Sequence, residues 1–434
     1  MAFEPTCDRR DFLKTAAGSL ALLLSARGLS ASQATIDASV ARIGEPVKLG
    51  VIGLGAWGRE ILATAARVPA LQVTCIADVY APFVKRSAEI QPNAAAVTDA
   101  RQLLDSRNVE GVVIATPTPT HAALVSAALD AGKHVYCEAP LAASIDDARA
   151  IVRAAAAAPT RIFQSGLQGR ANALYRHVLQ FVRSGVLGDI AFVNAQWNRR
   201  ESWRRAGPSP EREQALNWRL LHGSPGLLGE IGIHQIDLML QYLDAAPAAV
   251  TGIGSVAAWR DGRAVPDTVT SLFEFPNHAR ASLRLTLASS FGGAYVAFQG
   301  SNSSLLMKES RGWMVKEADS PLLGWEVYAR KETVHDETGI AMVADATKLL
   351  QAGKEPGKDG SMEPLRTPLM LALEQFAVGI REGTAPAAGV HEGYNATVTA
   401  LKANEAVLRG GRIEIAAHEL HSTVTAADRS GGHV

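Results

Sequence analysis

From residue 47 onward, short apolar runs alternate with stretches in which apolar residues recur every three or four positions, the signatures of buried strands and amphipathic helices. Val47 to Leu54 is apolar except for Lys48 and reads as a parallel strand covered on both faces, and Arg59 to Val68 follows with helical spacing. Strand-like runs recur at Leu71 to Ala77, Gly111 to Ala115, His134 to Cys137 and Arg161 to Gln164. Helical patterns separate them at Ala81 to Ile90, Thr120 to Ala131 and Ser144 to Ala157, with Thr120 and Ser144 as N-caps. Repeated strand–helix units require right-handed crossovers, which predicts an α/β domain with a doubly wound parallel sheet over residues 47–165.

The period shifts beyond about residue 185. Ile190 to Trp197, Val250 to Trp259, Thr268 to Phe275, Ala281 to Leu287 and Tyr295 to Gln299 alternate or cluster β-formers, and a single helical stretch, Leu228 to Leu243, interrupts them. Late helices are predicted at Ile340 to Gln351, Pro368 to Glu382 and Gly393 to Leu408. This pattern predicts a second α/β domain over 166–417 with a large, mainly antiparallel open sheet, and a polar, mobile tail over 418–434.

The first 34 residues have a different character. Asp8-Arg9-Arg10-Asp11-Phe12-Leu13-Lys14 precedes a small-residue apolar run, Thr15 to Ser25, and then Ala31-Ser32-Gln33-Ala34. A charged region, a short apolar region and a small-residue processing site follow one another in the order of an export signal. The paired arginines resemble the twin-arginine signal, whose pathway carries folded proteins, so the expected location is the periplasm. The run is shorter than the roughly 20 residues needed to span a bilayer, and no stable membrane anchor is expected. Residues 35–46 then form a linker.

Composition narrows the function classes. The 434 residues carry 43 Lys plus Arg against 43 Asp plus Glu, a net charge of zero that argues against a nucleic-acid partner. With 47% hydrophobic and 20% charged residues the chain is globular, not disordered. The three cysteines, Cys7, Cys75 and Cys137, lack the paired spacing of a zinc site or disulfide framework, and Cys75 and Cys137 fall in strand-like runs that suit buried thiols.

Gly53-Leu54-Gly55-Ala56-Trp57-Gly58 closes the first strand and opens the first helix. In that setting the first Gly makes the tight turn, the second lets backbone approach a pyrophosphate and the third allows helix to pack on strand, while the helix N-terminus offers free N–H groups. Asp78 ends the next strand and is placed to accept from adenosine ribose hydroxyls; Val79 and Tyr80 follow it, with no adjacent Arg for a 2′-phosphate, which favours NAD over NADP. Ligands of such sheets lie beyond the carboxyl ends of the strands, so Ala115, Thr116, Pro117 and His121 from one loop, and Glu138 from another, are assigned with Gly53, Leu54, Gly55, Ala56, Trp57 and Asp78 to the cofactor.

These motifs resemble the Gfo/Idh/MocA family of glucose-fructose oxidoreductase and inositol dehydrogenase. They are Gly-Leu-Gly-Ala-Trp-Gly at 53–58, Ala-Thr-Pro-Thr-Pro-Thr-His at 115–121, Gly-Lys-His-Val-Tyr-Cys-Glu-Ala-Pro at 132–140, Gly-Leu-Gln-Gly-Arg at 166–170 and Gly229-Glu230-Ile231-Gly232-Ile233-His234-Gln235-Ile236-Asp237. The resemblance implies an NAD(P)-binding Rossmann domain, a C-terminal domain whose sheet carries the substrate face, a homo-oligomer formed through that sheet, and action on sugars or cyclitols. Two departures stand out. The family's Glu-Lys-Pro reads Glu138-Ala139-Pro140, so its lysine is absent and its proton transfer cannot be carried over. The Asp-x-Gly-x-His pattern reads Glu230-Ile231-Gly232-Ile233-His234.

Residues 230 and 234 share one face of an α-helix, so His234 is assigned as acid/base, with Glu230 orienting it or binding a hydroxyl. Gln168, Arg170, Trp203 and Asp237 are assigned to the substrate side, Asp237 chiefly as support. No further ligand is spaced near His234, and no metal is expected. Asn198-Arg199-Arg200-Glu201-Ser202-Trp203-Arg204-Arg205 suits either an anionic sugar, with Trp203 stacked on a pyranose, or a solvated basic loop or subunit contact, the commoner use of such a run. Trp197, Trp218 and Trp325 fit a core as well as a sugar site.

Export bears on mechanism, because NAD is scarce outside the cytoplasm. An enzyme loaded with NAD before export would retain and recycle it. The expected function is an exported, NAD-retaining oxidoreductase acting on a sugar, glycoside or cyclitol hydroxyl. One alternative is an NAD-dependent glycoside hydrolase working by transient hydroxyl oxidation and elimination, and another is a non-catalytic sugar-binding relative.

Overall fold

In the computed structural model, residues 39–40, 43–308, 311–321, 326, 329–342 and 367–420 are described. The export signal, Trp325, most of the helix expected at 340–351 and the tail beyond 420 lie outside them.

The first domain is a six-stranded parallel sheet in the order β3-β2-β1-β4-β5-β6, formed by β1 (Val47–Ile52), β2 (Leu71–Ala77), β3 (Ala95–Val97), β4 (Gly111–Ile114), β5 (His134–Cys137) and β6 (Phe163–Ser165). Helices α1 (Ala56–Ala65), α2 (Ala81–Ile90), α3 (Ala100–Leu104), α4 (His121–Asp130) and α5 (Ile145–Ala157) alternate with the strands. The alternation expected from the apolar runs is present, and β2 and α2 have the expected ends. The short β3 and α3 carry too few residues for a periodic signal. Ser144 caps α5 by accepting from the Asp147 amide, as expected. Thr120 does not cap α4: its hydroxyl donates to the Pro117 carbonyl at 2.7 Å and lies 2.8 Å from the Thr116 hydroxyl. Cys75 and Cys137 are buried free thiols.

The second domain is a ten-stranded open sheet in the order β14-β15-β13-β12-β11-β7-β10-β9-β8-β16. Its strands are β7 (Ile190–Asn198), β8 (Ala249–Ser255), β9 (Thr268–Glu274), β10 (Arg280–Thr286), β11 (Ala294–Gly300), β12 (Ser303–Lys308), β13 (Arg311–Lys316), β14 (Lys331–Val334), β15 (Glu337–Met342) and β16 (Arg412–Glu414). Only β7 and β10 pair parallel, so the sheet is mixed and mainly antiparallel. Among the described residues, helices α6 (Ala173–Arg183), α7 (Pro210–Leu216), α8 (Ile233–Leu243), α9 (Pro368–Glu382) and α10 (Val390–Arg409) accompany the sheet. One face of the sheet packs on α6, α8 and α10. The other leaves Ile253 and Leu272 exposed.

Packing does not respect the domain boundary drawn at residue 165. Helix α9 returns to the first domain, where Leu369, Leu373 and Phe376 join Val47, Leu49 and Val51 in one core cluster. Arg381 on α9 pairs with Glu110 at 2.7 Å, and the Gln164 amide donates to the Ala372 carbonyl at 2.8 Å. Helix α10 belongs to both domains. Tyr394 and Val398 lie in the core beneath β4 and β5, whereas Ala396, Ala400, Ala403, Ala406 and Val407 lie in the core of the second sheet. At its start, the Ser165 hydroxyl donates to the Gly389 carbonyl at 2.8 Å, and the Thr397 hydroxyl accepts from the Leu141 amide at 3.0 Å.

The close seat of α10 on β8 depends on a glycine: a Cβ at Gly252 would lie 2.7 Å from Val407 Cγ2 and 2.8 Å from Val407 N. Because backbone is among the obstructing atoms, Gly252→Ala must push helix from sheet. It is expected to lower stability by about 1–3 kcal/mol, read as an earlier urea midpoint at unchanged slope. An unchanged midpoint would show that the seat has slack.

Candidate functional site

The carboxyl ends of β1, β2, β4 and β5 converge on one cleft, and the Gly-rich turn lies at its centre. Gly53 has φ of +94°, and a Cβ there would sit 2.6 Å from the Ala115 carbonyl oxygen. At Gly58 it would sit 1.9 Å from the Gly53 carbonyl oxygen, so this glycine lets α1 close on the turn. Gly55 differs: nothing lies within 4 Å of the missing Cβ. Helix α1 begins there with no side-chain cap, leaving its first N–H groups directed at open space, as a pyrophosphate requires. The Asp78 carboxylate accepts from the Leu54 amide at 2.7 Å and the Tyr80 amide at 2.8 Å. Each oxygen keeps a lone pair for a ribose hydroxyl. The chain's own groups thus fit a dinucleotide.

Two loops form the far wall. His121 is buried, with Nδ1 3.0 Å from the Pro140 carbonyl oxygen and Nε2 2.9 Å from that of Thr116. Both ring nitrogens are engaged with backbone, so His121 ties the 115–121 loop to the 138–140 loop and has no nitrogen left for a ligand. Burial lowers its pKa. Ala115, Thr116 and Pro117 line the loop it holds. Glu138 is buried beneath the Gly-rich turn, and desolvation raises its carboxyl to about 7 although the Trp57 indole and the Ala139 amide favour the charged form. Its Oε1 has no hydrogen-bond partner among the described residues, and a Cβ at Gly166 would fall 2.5 Å from Oε2. Ala139 packs against the core of the second domain, at the place where the family's lysine would stand.

The opposite wall is not the continuous α-helix expected over 228–243. Leu228–Gly232 forms a π turn and α8 begins at Ile233. The wider i→i+5 closure removes Glu230 from the face of His234. Glu230 instead accepts from the Thr118 hydroxyl at 3.0 Å and from Arg219 Nε at 2.7 Å, and its side chain is 3% exposed against 44% for Arg219. The expectation that Glu230 orients His234 is therefore corrected: Glu230 joins the two domains through Thr118. Burial pushes its carboxyl above the ordinary value, against the pull of Arg219. His234 has no ring hydrogen bond among the described residues, and desolvation lowers its pKa to about 4, leaving it neutral at working pH.

Arg170 and Asp237 do not face a ligand as expected. They form a buried ion pair, with Nη2 to Oδ1 at 2.8 Å and Nε to Oδ1 at 2.9 Å, which ties the 168–171 turn to α8. Trp203, at φ of +64°, packs against the second core. Gln168 opens the 168–171 turn. Sequence reasoning placed Thr118 at the cleft only as part of the 115–121 run, and missed Arg219, whose signal was only a Trp-Arg pair. Among the described residues no group of three or more His, Cys, Asp or Glu could hold a metal.

Residues 47–166 match the model of the Gfo/Idh/MocA oxidoreductase family, NAD-binding Rossmann fold, and 175–306 match the model of the family's C-terminal domain. The two matches span more than half of the chain, which belongs to this family; its first domain is an NAD-binding Rossmann domain. An inositol 2-dehydrogenase of Gluconacetobacter diazotrophicus is 30% identical over 199 residues, covering 45% of this chain and 56% of that protein's length. A 2,7-anhydro-N-acetylneuraminate hydratase of Escherichia coli is 26% identical over 271 residues, covering 61% and 69%. The structure of a levoglucosan dehydrogenase in complex with NADH and levoglucosan superposes with a TM-score of 0.67 at 20% identity, covering 86% of this chain and 100% of that one.

The buried Glu138 carboxyl has a pH consequence. Its folded pKa of about 7 exceeds the unfolded value near 4.5. Below the unfolded value both states hold the proton and burial carries no ionisation penalty. As pH rises, the unfolded chain loses the proton first, and stability falls until the folded pKa is passed. The full penalty is about 3 kcal/mol. In NAD-free protein, Glu138→Gln should therefore gain about that much on wild type between pH about 4.5 and about 8. Parallel urea-derived stability curves for the two proteins would refute the assignment.

Proposed function

We propose that this family member is an exported oxidoreductase that oxidises a ring hydroxyl of a sugar, glycoside or cyclitol and keeps its NAD bound between turnovers. The observation that carries the reading is His234: an imidazole without a hydrogen-bond partner among the described residues, held neutral by desolvation at the start of α8, directly after the π turn whose Glu230 meets Thr118 of the first domain. The sugar and cyclitol substrates in the names of its relatives support the substrate class. The Arg9-Arg10 segment supports export, and export supports retention. The exposed Ile253 and Leu272 support pairing of two copies through the open sheet.

When bound, NAD supplies the hydride acceptor. His234 would take the hydroxyl proton as the carbon gives up hydride, so that one hydride and one proton, two electrons and two protons in all, leave the alcohol and a carbonyl remains. Arg219, fixed by Glu230, places a cation at the cleft and compensates for the lysine missing at Ala139. Glu138, neutral below about 7, keeps a second charge out of the dry site.

A second reading draws on Ala139 and on the hydratase relative. The transient carbonyl would acidify the neighbouring C–H; that proton is lost to a base as the glycosidic bond breaks and the aglycone leaves, water adds to the resulting double bond, and hydride and a proton return to the carbonyl. A panel of sugars and aryl glycosides separates the readings: bound NAD becomes reduced in the first, aglycone is released in the second, and neither event points to a non-catalytic relative.

His234→Ala is expected to lose roughly a hundredfold or more in turnover while retaining NAD, measured after denaturation. Because the folded His234 sheds its proton as pH rises through about 4, the base is fully available above that value. The acid limb of kcat/KM should lie well below the ordinary histidine value of about 6.5. Wild-type turnover in His234→Ala, or a limb near the ordinary value that disappears in this variant, would overturn the role given to His234.

A further inference from the structure

Residues 199–221 leave the second sheet after β7 and return at the π turn without contributing a strand. Their base is braced on the second domain. Arg204 Nε lies 3.2 Å from Asp261 Oδ2, Arg263 Nη2 donates to Asp261 Oδ2 at 2.7 Å and to the Ser202 carbonyl at 2.6 Å, and the Ala264 amide donates to the Leu220 carbonyl at 2.8 Å. Buried Asn217 closes the segment on itself, accepting from the Arg205 amide and donating to its carbonyl, each at 2.8 Å.

The tip reaches the other domain. On α7, the Arg212 guanidinium lies 3.9 Å from the centroid of the Tyr80 ring and 5.1 Å from that of Phe83. Tyr80 follows Asp78, whose carboxylate accepts its amide. Val79 between them is 86% exposed, an apolar surface beside the ribose-binding carboxylate. Arg212 Nε is buried and has no hydrogen-bond acceptor among the described residues. A ribose hydroxyl or adenine nitrogen would satisfy it. The far end of the segment is fixed by Arg219 to Glu230 and through it to Thr118.

The topology gives these contacts a meaning. Strands β2 and β4 flank β1, so Tyr80 after β2 and Thr118 after β4 stand on opposite sides of the Gly-rich turn that receives the pyrophosphate. A segment held at both points crosses over that turn. We propose that residues 199–221 are a strap closed over the NAD site, latched at the adenosine end by Arg212 on Tyr80, and that the latch slows departure of the cofactor. The strap is the physical means of the NAD retention in the reading above, and rests on it.

The test uses full-length protein loaded with labelled NAD and chased with unlabelled NAD. Arg212→Met keeps side-chain length but removes the cation, and Tyr80→Leu removes the ring face. Each should release NAD roughly five- to tenfold faster than wild type, and the double variant no faster than the quicker single one. Arg412→Met is the control: it also loses a cation, paired with Glu274 at 2.8 Å, but within the second sheet and outside the strap, and should release NAD at the wild-type rate. Two variants, checked by thermal melting, guard against loss of fold in one. Release at the wild-type rate in both overturns the strap. Wild type that does not hold NAD through gel filtration overturns the retention reading instead, and the strap is then decided by NADH titration: five- to tenfold weaker binding in both variants upholds it, and equal dissociation constants overturn it.

Discussion

Helix α10 is buried on two sides, and this double burial sets the separation between the two walls of the cleft. Small residues make it possible: Ala396, Ala400, Ala403 and Ala406 let the helix lie close on the second sheet, while Tyr394 and Val398 fill space beneath the first. Close-packed interiors tolerate little change in volume, so neither sheet can move relative to the helix without opening voids. The Ser165 and Thr397 hydrogen bonds add direction, fixing β6 and the loop after Pro140 against the helix. The positions of Glu138 and the π turn follow from that seat.

Much of this architecture was legible in the chain because its signals are local and periodic. The β2 run, the α2 pattern and the glycine spacing at 53–58 depend on neighbours within one or two turns. The missed features depend on distant partners. Strands β12 to β15 and helix α6 escaped, as did the return of α9 to the first core. A π turn leaves almost the same apolar pattern as an α-helix, so the pairing of Glu230 with His234 looked sound until its wider closure turned Glu230 toward Arg219 and Thr118. Arg170 and Asp237 looked available for a substrate because nothing in their spacing announces that they neutralise each other. Arg212 on Tyr80 joins residues far apart in sequence and was invisible for the same reason.

The distribution of charge separates structural from chemical groups. Glu230 and Asp237 are buried acids with arginine partners; removing one partner of such a pair strands a charge, so these residues are committed to holding walls together. Glu138 is buried and His234 half-buried, neither with an ionic partner among the described residues, and desolvation drives both toward their neutral forms, the acid by raising its pKa and the base by lowering it. Each can exchange a proton without breaking an ion pair.

That division gives the missing lysine a physical sense. A lysine at position 139 would bring a permanent cation next to the buried Glu138 and would draw it into an ion pair, ionising the carboxyl and fixing both groups. Alanine leaves Glu138 without a cation beside it, its carboxyl raised to about 7 by burial and its Oε1 without a hydrogen bond among the described residues, and the cleft's cation on the other wall, where Arg219 is held by Glu230. In the proposed reading, proton transfer then rests with His234, a group that begins neutral. Such a site suits a reaction in which a hydroxyl is oxidised and the cofactor restored without leaving, since neither half of the cycle has to separate a buried ion pair, and the strap over the dinucleotide supplies the confinement that this cycle needs.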